Sequence, residues 1–199
     1  MLAFEQKYWD MGYRLVAGVD EAGRGPLAGA VYAAAVIFRP GVVLPGVDDS
    51  KKLSEKKREQ LAEQIKASAL CWAVASVDEK EIDRINILNA AIQAFGLALD
   101  ALEQKPEFAL VDGNRAVGLA YPYETIVKGD ARSQSIAAAS ILAKVARDRY
   151  ITQMDAVYPQ YGFAKHKGYP TKEHKQAIAA YGPSPIHRLT FRGVKEYIR

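Results

Sequence analysis

Three short apolar runs in this chain each end on an aspartate: Val16-Ala17-Gly18-Val19-Asp20, Phe108-Ala109-Leu110-Val111-Asp112 and Ile126-Val127-Lys128-Gly129-Asp130. Glu21 follows the first directly. A single aspartate after a strand is ordinary, because turns favour it and water solvates it. Three at the ends of buried strands weaken that explanation, since functional groups collect at strand ends on a rigid frame. If those ends meet at one edge, four carboxylates converge. Such a cluster repels itself unless cations neutralise it, and hard divalent ions with oxygen ligands are the natural partners. Carboxylate-held metals suit phosphoryl transfer, one ion activating water while another stabilises the leaving oxygen. The competing nuclease chemistry uses a histidine pair as acid and base on an RNA 2′-hydroxyl. It has only His166, His174 and His187 to draw on. His174 falls within an expected helix and reads as a surface residue, which makes that chemistry the weaker reading.

Gly23-Arg24-Gly25-Pro26-Leu27-Ala28-Gly29 follows the first strand. A dinucleotide fingerprint would need a helix straight after the glycines. Here the next run, Val31 to Phe38, is strand-like, the glycine spacing is off, and Pro26 interrupts it. The alternative is physical: paired glycines let backbone approach a ligand, and an arginine offers planar donors to a phosphate. Beside Asp20 and Glu21 that describes a clamp on a sugar–phosphate chain. A tight turn between two strands would use the same glycines.

The elements that must position these residues follow from periodicity. Leu15–Asp20, Ala30–Phe38 and Leu70–Val77 are apolar and β-branched, predicting three adjacent antiparallel strands. Residues 40–49 read as a loop. Ser54 caps a helix with Leu61 and Ile65 on one face, and a second helical period runs from Ile87 until Pro106. Phe108–Val111 and Tyr123–Val127 are further strands. A long Ala-rich helix spans Ser135–Tyr158, and Thr171 caps a last one that stops at Gly182. The order gives an α/β chain with a mixed sheet and helices packed on it. Residues 1–158 form the expected core and residues 159–199 a helical C-terminal appendage of the same domain.

Composition narrows the class. The 199 residues allow one good core. With 27 Lys and Arg against 23 Asp and Glu, the formal charge of +4 is compatible with a nucleic-acid partner without demanding one. Cys71 is the only cysteine, which rules out an intrachain disulfide or a cysteine zinc cage, and its place beside Trp72 suits a buried thiol. No signal peptide opens the chain, and no apolar stretch approaches spanning length, so a cytoplasmic protein with no membrane association is expected, a monomer by default.

Several blocks in order resemble the bacterial type 2 ribonuclease H family, ribonuclease HII. They are Gly18 to Pro26, Asp49-Ser50-Lys51-Lys52-Leu53-Ser54, Asp112-Gly113-Asn114, Lys128-Gly129-Asp130, Ile136 to Val145, and His166-Lys167-Gly168-Tyr169-Pro170-Thr171. The similarity runs from about Leu15 to Phe191, with one departure: Thr190 stands where serine is expected in His187-Arg188-Leu189-Thr190-Phe191. A hydroxyl remains there. The resemblance implies a ribonuclease H-like fold, a five-stranded mixed sheet flanked by helices. It implies Mg²⁺ or Mn²⁺ held by the catalytic acids Asp20, Glu21, Asp112 and Asp130. The implied reaction is endonucleolytic cleavage of the RNA strand of RNA–DNA hybrids, and cleavage 5′ to single ribonucleotides embedded in duplex DNA, leaving 3′-hydroxyl and 5′-phosphate ends. It further implies that the backbone of Gly23, Arg24 and Gly25 reads the 2′-hydroxyl, that Tyr169 stacks near the following deoxyribose, and that Lys51 and Lys52 contact phosphates. From composition alone, Lys51 and Lys52 are a solvated charge pair, and Tyr169 is a packing residue between Gly168 and Pro170. Lys144 is open between a phosphate contact and a snorkelling surface residue.

Two other readings stand beside it. A DNA resolvase of the same fold would share the acids, but the Gly-Arg-Gly block and Tyr169 count against it. A non-catalytic nucleic-acid-binding module would suffer from acids gathered in a phosphate groove.

Overall fold

The computed structural model of the chain describes residues 1–47, 50, 53–115 and 118–198. After a short helix α1 (Ala3–Asp10) come strands β1 (Val16–Ala22) and β2 (Val31–Ile37), helix α2 (Glu55–Ser68) and strand β3 (Cys71–Val77). Helices α3 (Glu79–Ile85) and α4 (Ile87–Asp100) lead to strands β4 (Phe108–Asp112) and β5 (Tyr123–Ile126). Helix α5 (Gln134–Val157), a single turn α6 (Phe163–His166) and α7 (Lys172–Tyr181) complete the order.

The first three strands form the expected antiparallel meander, and β4 and β5 add in parallel to give a five-stranded mixed sheet in the order β3-β2-β1-β4-β5. Strand alternation divides the buried side chains between two faces. Ala17, Val19, Ala33, Ala35 and Val111 pack with Ala94, Phe95 and Leu99 of α4 on one side. Ala34 and Val36 pack with Ala138 and Ile141 of α5 and with Leu61 and Ile65 of α2 on the other. The caps are as the sequence implies: Ser54 Oγ accepts from Lys57 N–H, and Thr171 Oγ1 from His174 N–H.

Helix α5 lies unusually close to β1. A Cβ on Gly18 would overlap the Ser135 backbone, so only glycine lets the helix start rest on the strand. Alanines 137 to 139 keep the next turn equally near. This approach sets Ser140 beside the end of β1. The C-terminal helices enclose a separate buried cluster in which Phe163, Ile178 and Ile186 meet Leu27, Ala28 and Ile151.

Cys71 is a buried free thiol, as expected. Among the described residues no helix is long and apolar enough to cross a membrane. Besides the single turn α6, two longer helices escaped the sequence reading. Helix α1 has no side-chain N-cap, and α3 buries only Ile82, so neither shows a legible period. Asn86 separates α3 from α4 with a positive φ of 68°, and its side chain accepts from the Leu88 and Asn89 amides.

Candidate active site

Val19 pairs with Val111 across the parallel β1/β4 ladder. Asp20 and Asp112 are therefore level at the ends of neighbouring strands, and alternation puts them on the same face, with Glu21 on the other. Asp20 is only 4% exposed. Burial pushes its carboxyl well above the usual carboxylate range, and the charges of Glu21 and Asp112 push the same way. The Ser140 hydroxyl and the Glu21 N–H, which reaches Asp20 Oδ1 at 2.7 Å, partly offset this. Glu21 is also raised, first by burial, against the opposing Arg24 guanidinium 3.3 Å away.

Asp130 lies in one 3₁₀ turn, Gly129–Ala131, just after β5. Its backbone ties it to the neighbouring acid: Gly129 N–H donates to Asp112 Oδ1 at 2.6 Å and Asp130 N–H to the same oxygen at 3.4 Å. The structure thus brings Asp20, Glu21 and Asp112 into electrostatic contact and joins Asp130 to them through the turn. Among the described residues no three His, Cys, Asp or Glu side chains already stand within joint reach of one ion. The donor chemistry nevertheless fits a hard divalent cation: the groups are all carboxylates, and the charges of neighbouring acids help to raise both Asp20 and Glu21. A cleft beside them is lined by Glu21, Arg24, Asp112, Asn114 and Arg115 against the wall of α4.

The glycine loop is held next to this cluster. Gly23 has φ +102°, and a Cβ there would overlap the Arg147 guanidinium. Arg24 and Gly25 are exposed, and a Cβ on Gly25 would stand 3.6 Å from Tyr169 Cε1. Tyr169, 41% exposed, therefore stands directly beside the loop. Leu27 N–H donates to Gly168 O at 2.8 Å, stitching the loop to the Tyr169 segment. Lys144 Nζ pairs with Asp148 Oδ1 at 2.7 Å and lies 5.7 Å from the Tyr169 ring. Lys51 and Lys52 lie outside the described residues.

The ribonuclease HII family model matches residues 17–194 of this chain. The chain is 55% identical over 195 residues to a ribonuclease HII of Geobacter sulfurreducens, covering 98% of this chain and 90% of the relative. It is 53% identical over 197 residues to one of Syntrophotalea carbinolica, covering 99% and 94%. Among solved structures it is similar to the ribonuclease H2 of Pyrococcus horikoshii OT3, with a TM-score of 0.77, 31% identity, and coverage of 92% and 96%.

The chain belongs to the ribonuclease HII family. It is accordingly a type 2 ribonuclease H, an endonuclease, and its sheet and helices form the ribonuclease H-like fold that the resemblance implied.

Within this ribonuclease HII fold, several residues at the site were missed by sequence reasoning. Ser140 Oγ lies 3.0 Å from Ser50 Oγ while also bonding Asp20, so Ser50 is linked to the first acid. Arg147, 1% exposed, donates to Lys167 O at 3.0 Å and lies 5.7 Å from the Tyr169 ring. Arg188 enters the glycine loop from the C-terminal segment. His174 requires a correction: it is fully buried rather than on the surface. Its ring stacks on His166, and its Nε2 lies 3.0 Å from Nε2 of His187. The helical pattern of α7 could not reveal that the segment near His187 folds back over that face. These rings link α6, α7 and the segment at His187, and His174 Nδ1 bonds the Tyr169 carbonyl at 3.0 Å.

Proposed function

We propose that this chain cleaves the RNA strand of RNA–DNA hybrids and cuts 5′ to single ribonucleotides embedded in duplex DNA, leaving 3′-hydroxyl and 5′-phosphate ends. The observation that carries the reading is the level placement of Asp20 and Asp112 at adjacent parallel strand ends, followed by a glycine loop whose Arg24 and Gly25 are exposed. In this reading Asp20, Glu21, Asp112 and Asp130 hold Mg²⁺ or Mn²⁺. The bound cations would supply charge neutralisation at the scissile phosphate and an activated water.

The chain's own residues select and orient the substrate. Phosphates and bases barely distinguish RNA from DNA, so the 2′-hydroxyl must be sensed. In this reading the Gly23-Arg24-Gly25 backbone does so; glycine allows close approach, Arg24 and Gly25 are exposed, and the loop follows Glu21 closely in the chain. Tyr169 offers an aromatic face for the sugar of the next nucleotide. Lys51 and Lys52, near the start of α2, contact phosphates and position the duplex without specifying sequence. We take the working form to be a cytoplasmic monomer, in keeping with the free Cys71 thiol.

The test is cleavage of a DNA duplex carrying one ribonucleotide, with Mg²⁺, Mn²⁺ and chelator compared and an all-DNA duplex as control. A cut 5′ to the ribonucleotide, lost with chelator and absent from the control, is the expected result. Cutting of the all-DNA duplex would overturn the substrate assignment. Cleavage that persists in chelator would overturn the role given to the four acids.

A further inference from the structure

Arg188 is one of the most completely buried side chains in the molecule, 0% exposed. Its guanidinium donates to four carbonyls of a single loop: Nη2 to Gly23 O at 2.6 Å, Nη1 to Arg24 O at 3.0 Å and Pro26 O at 2.9 Å, and Nε to Gly29 O at 2.9 Å. Among the described residues no carboxylate lies within ion-pair distance of it. A cation taken out of water without a counter-charge is costly. Here the carbonyl dipoles of residues 23–29 supply the compensation, and the planar fork fixes where those carbonyls point. Backbone bonds flank it: Arg188 N–H donates to Leu27 O, and Gly29 N–H to Ile186 O.

The consequence follows from peptide geometry. In a trans peptide the carbonyl and the following N–H point to opposite sides, and the described chain has no cis bond. Turning the Gly23 carbonyl inward turns the Arg24 N–H outward. Turning the Arg24 carbonyl inward does the same to the Gly25 N–H. Both residues are exposed, and neither amide donates to a protein acceptor among the described residues.

We propose that Arg188 is a positioning residue that holds the Arg24 and Gly25 amides outward as a preformed donor pair for a ribose 2′-hydroxyl. This rests on the substrate reading above and assigns its selectivity to a side chain of the C-terminal segment that does not touch the substrate.

The test compares Arg188→Met and Arg188→Lys, each in an Asp112→Asn background that binds without cutting. Affinity is measured for a duplex with one ribonucleotide and for the matching all-DNA duplex. The parent should prefer the ribonucleotide duplex. Arg188→Met should reduce that preference by roughly tenfold or more, with affinity for all-DNA unchanged. Arg188→Lys, which keeps the charge and three donors, should retain part of the preference. An unchanged preference in folded Arg188→Met would overturn the proposal, as would an equal loss of affinity for both duplexes. Failure of both variants to fold would make Arg188 a core residue and likewise overturn it. If the wild type cuts no ribonucleotide-containing duplex at all, the substrate reading itself fails and this inference falls with it.

Discussion

Asp112 accepts the Gly129 backbone N–H at 2.6 Å, so the acid at the end of β4 fastens the turn that carries Asp130. The cluster is therefore built by backbone as much as by side chains: the strand ladder sets Asp112 beside Asp20, and Asp112 anchors the turn bearing the fourth acid.

Asp112→Asn tests both halves of that arrangement. The amide oxygen can still accept from Gly129, while one of the charges raising Asp20 disappears. Cleavage should fall by on the order of a hundredfold or more, with duplex binding retained. Without metal the variant should be more stable than the wild type, by about 1 kcal/mol. Single-turnover kinetics and thermal melts check the two effects separately.

Divalent metal should stabilise the folded wild type, because the ion neutralises carboxylates that repel one another. A metal concentration 100-fold above its dissociation constant contributes about 2.7 kcal/mol. Melts with Mn²⁺ or Mg²⁺ against chelator measure this. The shift should shrink sharply in Asp112→Asn, and a shift of equal size there would argue against Asp112 as a ligand.

Acid should weaken the C-terminal part. Burial is the main cause that lowers His174 to about 4 and His187 to about 3, against an ordinary value of 6.5. The unfolded chain therefore takes up protons near pH 6.5 while the folded one stays neutral at these rings. Stability falls as the pH drops through that window, and most of this loss is complete near pH 3. Urea titrations from pH 7 to pH 4 should show the decline, and the ring resonances of His174 and His187 should not titrate above pH 5. Titration of either ring near pH 6.5 in the folded protein would remove this source of acid sensitivity.

Much of the fold was legible in the sequence because the strands are apolar, β-branched runs with clear ends. The long α5 announced itself through its alanines and the proline after it. Asp20 and Asp112 were legible for the same reason, since each closes an apolar run, whereas Asp130 sits in a turn beyond the end of β5. The closeness of α5 to β1 was not legible, because Gly18 reads as any strand glycine until the Ser135 backbone is seen against it. Arg188 was beyond reach for a different reason: its partners are main-chain carbonyls about 160 residues earlier, which carry no side-chain signature. His174 was misread because a helix pattern identifies an apolar face but not the segment that covers it.

Thr190 occupies the position where the family resemblance called for serine, and the structure shows what the hydroxyl does. Thr190 Oγ1 donates to Asp83 Oδ1 at 2.6 Å, while the Leu189 and Thr190 amides reach the same carboxylate. Thr190→Ser should be nearly neutral, whereas Thr190→Val should cost about 1–2 kcal/mol. Chemical denaturation of the two variants decides it, and equal stability would show the hydroxyl bond to contribute nothing.

The bonds from Gly29 to Ile186 and from Leu27 to Gly168 bear on the order of biosynthesis. The strands and turn that carry the acids are complete once residue 130 has been made, while the glycine loop waits for partners near residues 168 and 188. A single domain folds largely as one unit, so the glycine loop gains its bracing only when the last stretch of the chain has arrived. Under the proposed reading, a chain ending before residue 168 would hold the four acids while the loop assigned to sensing the sugar lacked its brace.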